Sequence, residues 1–220
     1  ATVRLYNPGN GEDTYVMSHA VILDDYLTED PGISVTFSNT RVTLSAGSLR
    51  TLPVEIILPD TTPARTPVSI ELFMTSEGNT TISDSVILTL EARQDHRWDV
   101  VLYSALGDVE GNTFAISPGD SFAVEIYATN IGNLDDELSV SALGLLNPQG
   151  ADSVTDWNIF GDNVSSVPVN SSTTLYLVVE VPLGAWNGTT YQVSASIAAF
   201  DVEIHTFTFT IEVSHVAGWN

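Results

Sequence analysis

The side chains in this sequence best suited to chemistry are its paired carboxylates. Asp24-Asp25, Glu29-Asp30 and Asp135-Asp136-Glu137 fall in stretches whose polar composition marks them as loops. Calcium takes about six to eight oxygen ligands, and loops between domains can supply them. That chemistry makes Asp24, Asp25, Asp135 and Asp136 the candidate metal ligands, and calcium the candidate cofactor. Neither an EF-hand loop nor a nonapeptide calcium repeat is present. The competing reading is that the pairs solvate turns and cap them through Asx hydrogen bonds.

The remaining reactive groups point elsewhere. His19, His96, His205 and His215 lack the spacing of a zinc site, and without cysteine no thiolate site or disulfide can form. Neither a Gly-x-Ser-x-Gly elbow nor a His-Glu-x-x-His helix occurs, so no catalytic residue is expected. Asn79, Asn163, Asn170 and Asn187 each open an Asn-x-Ser/Thr sequon and are candidate glycosylation sites. Of the four tryptophans, Trp98 and Trp219 stand where domains begin. Trp157 aligns with Ile33 and reads as core. Trp186, beside the Asn187-Gly188 turn, is the one expected at the surface, where an indole face can stack on a sugar ring.

The elements that carry these residues come in two copies. Asn7-Pro-Gly-Asn-Gly-Glu-Asp13 returns as Asn130-Ile-Gly-Asn-Leu-Asp-Asp136, a spacing of 130 − 7 = 123, and Trp98-Asp99 returns as Trp219-Asn220, 219 − 98 = 121. Leu52–Pro59 matches Leu175–Pro182, with alternate apolar residues in each copy. A period of two marks a strand with one buried face, and the closing proline cannot donate to a ladder. Val86, Leu88 and Leu90 match Phe207, Phe209 and Ile211. No stretch carries a helical period. The expected fold is all-β: two tandem immunoglobulin-like antiparallel β-sandwiches over 1–94 and 95–215, with 216–220 opening a further repeat or linker.

The first copy is expected to lack its opening strands. The second has 130 − 98 = 32 residues between its tryptophan and its Asn-x-Gly-Asn hinge, whereas the first has 7 − 1 = 6 ahead of its own. The difference is about two strands at ordinary length. Either preceding residues complete that sandwich, or a strand from another chain does. The second copy is expected to contain about eight strands. Its hinge glycine, Gly132, is expected at positive φ.

Composition bounds the partners. Twenty-eight acids face six arginines and no lysine, a formal charge of −22. Nucleic acid and anionic membrane surfaces are therefore excluded as partners. No apolar run is long enough to span a bilayer, so no membrane insertion is expected in this segment.

Pro118-Gly119, Ala128-Thr-Asn-Ile-Gly-Asn133, Trp157, Val181-Pro182 and Gly188-Thr-Thr-Tyr191 together resemble the CARDB and NPCBM-associated (NEW3) immunoglobulin-like modules. The resemblance implies a tandem array at the surface of, or secreted from, a prokaryotic cell, with an archaeal source expected. Its partners would be neighbouring repeats of the same polypeptide, other surface proteins, or glycans. It implies a spacer or adhesive role and transfers no catalytic residue. The alternatives are an accessory, carbohydrate-binding region of a secreted hydrolase, and a subunit of a surface filament closed by a donated strand.

Overall fold

The computed structural model describes residues 1–23, 29–146 and 157–214. The chain divides into two compact units, Ala1–Gln94 and Asp95–Asn220. All regular elements among the described residues are strands.

The first unit runs β1 (Thr2–Tyr6), β2 (Asp13–Ile22), β3 (Ser34–Phe37), β4 (Arg41–Leu44), β5 (Leu49–Ile57), β6 (Pro67–Ser76) and β7 (Ser83–Glu91). These strands form two sheets, ordered β1-β5-β3 and β4-β2-β6-β7, all antiparallel. The second unit runs β8 (Trp98–Tyr103), β9 (Thr113–Ile116), β10 (Ser121–Asn130), β11 (Asp136–Leu146), β12 (Asn158–Gly161), β13 (Asn163–Val167), β14 (Ser172–Glu180), β15 (Thr190–Ala199) and β16 (Val202–Val213). Its sheets are ordered β12-β14-β10-β8 and β13-β11-β15-β16-β9.

Each unit is sandwich-like because the alternate apolar residues of its two sheets meet in one cluster. In the second unit Val124, Ile126, Leu177 and Val179 of one sheet share a core with Val140, Val193, Phe209 and Ile211 of the other. The period of two read from the sequence is the cause: successive side chains leave opposite faces, and only one face is apolar. In the first unit Leu52, Val54 and Leu5 pack in the same way with Val42, Val68 and Ile70.

The two units are copies. Taking β1 to β10, β2 to β11 and so on to β7 and β16, the sheet order of the first unit reproduces that of the second with β8 and β9 missing. The two-strand deficit expected from the hinge spacing is therefore an observed difference between the units.

Three expectations need correction. Among the described residues the second unit has nine strands, against about eight expected. The extra one is β13, whose sequence Asn-Val-Ser-Ser-Val offers only Val167 as a fully buried apolar side chain. The sandwich is not wholly antiparallel, since β9 runs parallel to β16 with Phe114 opposite Ile211. Finally, Gly132 does not have a positive φ. Glycine is needed there because a Cβ would stand 2.1 Å from the Asp95 carbonyl oxygen.

Candidate functional site

The hinge shared by both units is built on one buried asparagine. Asn130 is 1% exposed. Its Nδ2 donates to the carbonyls of Leu134 at 3.0 Å and Val167 at 2.9 Å, while its Oδ1 accepts from the Gly132 N–H at 2.9 Å. Asn7, at 2%, repeats this with Gly11, Leu44 and Gly9, each at 2.9 Å. The backbones are tied alike: Asn130 accepts from the Asn170 N–H at 2.8 Å, and Asn7 from the Gly47 N–H at 2.9 Å. One asparagine side chain thus satisfies three polar backbone groups, where leaving them unpaired would cost about 1–3 kcal/mol each. The sequence marks these asparagines by their repetition, yet only burial shows that the first residue of the motif bears the network.

The candidate calcium ligands Asp135 and Asp136 diverge. Asp136 is buried, bonds His96 Nδ1 at 2.7 Å and accepts from the Glu137 N–H at 3.0 Å. His96 lies on Phe200 at 5.9 Å between ring centroids. Asp135 is exposed and accepts from the Val169 N–H at 3.2 Å. Among the described residues no three His, Cys, Asp or Glu side chains gather as a metal site. Asp24 and Asp25 lie outside the described residues, as do His215, Trp219 and Asn220.

All four sequon asparagines are exposed, in different local settings. Asn79, in the turn between β6 and β7, accepts from both the N–H and the hydroxyl of Thr81, at 3.1 and 2.7 Å. Asn163 opens β13. Asn170 has φ +62°, matching Gly47 at +67° in the first unit, so its residue type answers a left-handed turn. Asn187 precedes a buried Thr189 whose hydroxyl donates to the Trp186 carbonyl. Trp186 is 59% exposed, whereas Trp157 is buried against Tyr191 at 4.3 Å. Asn163, Asn170, Asn187 and Trp186 all belong to the second unit and Asn79 to the first.

A concavity lies in the first unit, where β8 and β9 have no counterparts. A groove of about 440 Å³ runs between the free sides of β1 and β7, over Val3, Leu5, Tyr15, Met17, Met74 and Val86. Burial, and next the Asp13 carboxylate, raise the pKa of the Tyr15 phenol in its floor. The missing strands can be counted from the sequence. That the deficit opens a groove along both sheets needs the fold.

No protein-family model matches the sequence, and no curated protein matches it. Among solved structures the chain is similar to a family 123 glycoside hydrolase from Clostridium perfringens, at 15% identity and TM-score 0.42, over 55% of this chain and 28% of that one. It is similar to red sea bream transglutaminase at 8% identity and TM-score 0.32, over 98% and 29%. It is also similar to the CupB6 tip adhesin from Pseudomonas aeruginosa at 10% identity and TM-score 0.30, over 97% and 91%. The chain thus spans less than a third of the hydrolase and transglutaminase chains. At such identities and scores no activity passes from them to this protein.

Proposed function

We propose that this chain is a structural, adhesive segment of an extracellular tandem array of immunoglobulin-like modules, related to the CARDB and NEW3 modules, and that it is not an enzyme. The observation that carries the reading is the duplication itself: two units with one strand order and one asparagine hinge. The order β8, β10, β14, β12 against β9, β16, β15, β11, β13 supports the immunoglobulin-like assignment. Repeated self-contained sandwiches make a spacer whose length grows with the number of repeats. Strong negative charge keeps such a surface hydrated and self-repelling.

The test is antibody labelling of source cells. Labelling of intact cells is expected. Labelling only after permeabilisation would overturn the extracellular reading.

A second reading, an accessory carbohydrate-binding region, is favoured by the exposed indole of Trp186. Binding on a glycan panel that is lost in Trp186→Ala supports it. An empty panel removes it.

A further inference from the structure

We propose that the outward face of the sheet β12-β14-β10-β8 is a docking surface for an arginine-bearing segment of a partner protein, with the guanidinium seated on Glu125 between tyrosine rings. This face belongs to the second unit alone, and its assignment does not rest on the array reading.

The period of two that sends Val124, Ile126, Leu175 and Leu177 into the core sends their neighbours outward. Glu125 of β10 stands directly opposite Tyr103 of β8 on one side and Tyr176 of β14 on the other. Tyr127, two residues along β10, shares that face and stands opposite Val101. Side chains directly opposite one another on a sheet lie about 5 Å apart at Cβ. One carboxylate is thus flanked by three phenol side chains. They are open to solvent, with Tyr103 54%, Tyr127 45% and Tyr176 43% exposed. Phe160, 52% exposed, continues the patch onto the edge strand β12.

The fold does not require this face. The first unit places Thr2, Arg4 and Pro53 where Glu125, Tyr127 and Tyr176 stand in the second, in the same register: Thr2 is opposite Pro53 and Arg4 opposite Thr51. Those two strands therefore pair in the same way without an aromatic side chain at either position, so register does not account for the tyrosines.

Charge selects the occupant. The four strands carry Asp99, Glu125 and Glu180 and no arginine, and the chain has no lysine. Glu180 accepts from Asn158 Nδ2 at 3.1 Å, and Arg97, just ahead of β8, pairs with Asp95. Among the described residues no base pairs with Glu125. A neutral ligand laid over this carboxylate would strip its water and leave the charge unpaired, which is costly. A guanidinium can bond the carboxylate with two N–H groups and stack on the adjoining rings. The compact, strongly hydrated ammonium of lysine does not stack in that way.

The experiment titrates the full chain with fluorescein-labelled octa-arginine at physiological ionic strength, followed by anisotropy and by amide chemical shifts. Saturable binding is expected, with the shifts concentrated in β8, β10 and β14. Octa-lysine should bind about threefold more weakly. Tyr127→Ser and Glu125→Gln should each weaken octa-arginine binding about threefold, and together about tenfold. Both positions are exposed, so the melting midpoint should not move. Glu212→Gln removes one charge from the outward face of the other sheet and should leave the affinity within about 1.5-fold.

Absence of saturable binding overturns the assignment. Equal weakening by Glu212→Gln, or shifts spread over both units, would reduce the binding to attraction by the net charge of −22 and overturn it as well. So would equal affinity for octa-lysine, a comparison that uses the unaltered chain and needs no variant to fold. A neutral oligosaccharide that binds in the same place, is lost in Tyr127→Ser and is indifferent to Glu125→Gln would assign the face to a sugar instead. A failed face with intact surface labelling would leave the array reading standing.

Discussion

Replacing Asn130 with alanine isolates the hinge network from the rest of the fold. Three hydrogen bonds vanish together: two donated to the Leu134 and Val167 carbonyls and one accepted from the Gly132 N–H. The Val167 bond is buried and carries the full penalty of an unmet acceptor, whereas the other two are partly reached by water. At about 1–3 kcal/mol for a buried orphan and less for the wetter groups, the loss should be about 3 kcal/mol. For a unit of this size that lowers the melting midpoint by roughly 10–15 °C. Asn130→Asp keeps the shape but turns both donors into acceptors facing carbonyls, so it should cost at least as much. The assay is built into the chain, because Trp98, Trp157, Trp186 and Trp219 all belong to the second unit. Urea unfolding followed by tryptophan fluorescence therefore reports that unit, while circular dichroism reports both. Asn7→Ala should leave the fluorescence transition in place and shift the other. A fluorescence shift below about 0.5 kcal/mol for Asn130→Ala, the size of an ordinary surface change, would refute the network argument.

Gly132→Ala and Gly161→Ala should each destabilise the second unit by about 1–3 kcal/mol in the same assay, because their Cβ atoms would stand 2.1 and 1.8 Å from the backbone oxygens of Asp95 and Val140. Gly11→Ala, with open space around it, should stay within about 0.5 kcal/mol. Phe209→Ala should cost about 3–5 kcal/mol as a fully buried aromatic. Its counterpart Leu88→Ala, only partly buried beside the open edge, should cost well under half of that by circular dichroism. Tyr15 supplies a pH dependence. Its pKa is raised above the usual 10.0 by burial and by Asp13, so the neutral phenol favours the fold. That stabilisation is complete below pH 10.0 and is lost as pH rises through the folded-state value. Stability measured across that window should fall in the native chain, and Tyr15→Phe should remove this contribution to the slope.

Much of this architecture could be read from local pattern. Alternating apolar residues marked β5 and β14, and the aligned pairs Ile33/Trp157 and Leu88/Phe209 fall at equivalent places in the two units. The Pro118-Gly119 turn also reads directly, with Gly119 at φ +87°. β13 has no signature in the sequence, because a short edge strand with a mostly polar face has no apolar alternation. The acid pair Asp135-Asp136 could not be resolved from sequence, since neighbouring residues on an extended chain face opposite ways. One carboxylate turns inward to His96, 40 residues away in sequence, and the other turns out to solvent.

The repeat, the β class and the two-strand difference between the units follow from periodicity and spacing along the chain. Tertiary structure decided the rest: that Asn130 rather than Gly132 or Asn133 anchors the hinge, that Gly132 is glycine for want of space beside Asp95, that β9 joins its sheet in parallel, and that the deficit opens a groove along β1 and β7. Each depends on which distant backbone lies within a few ångströms, and no local pattern encodes that distance.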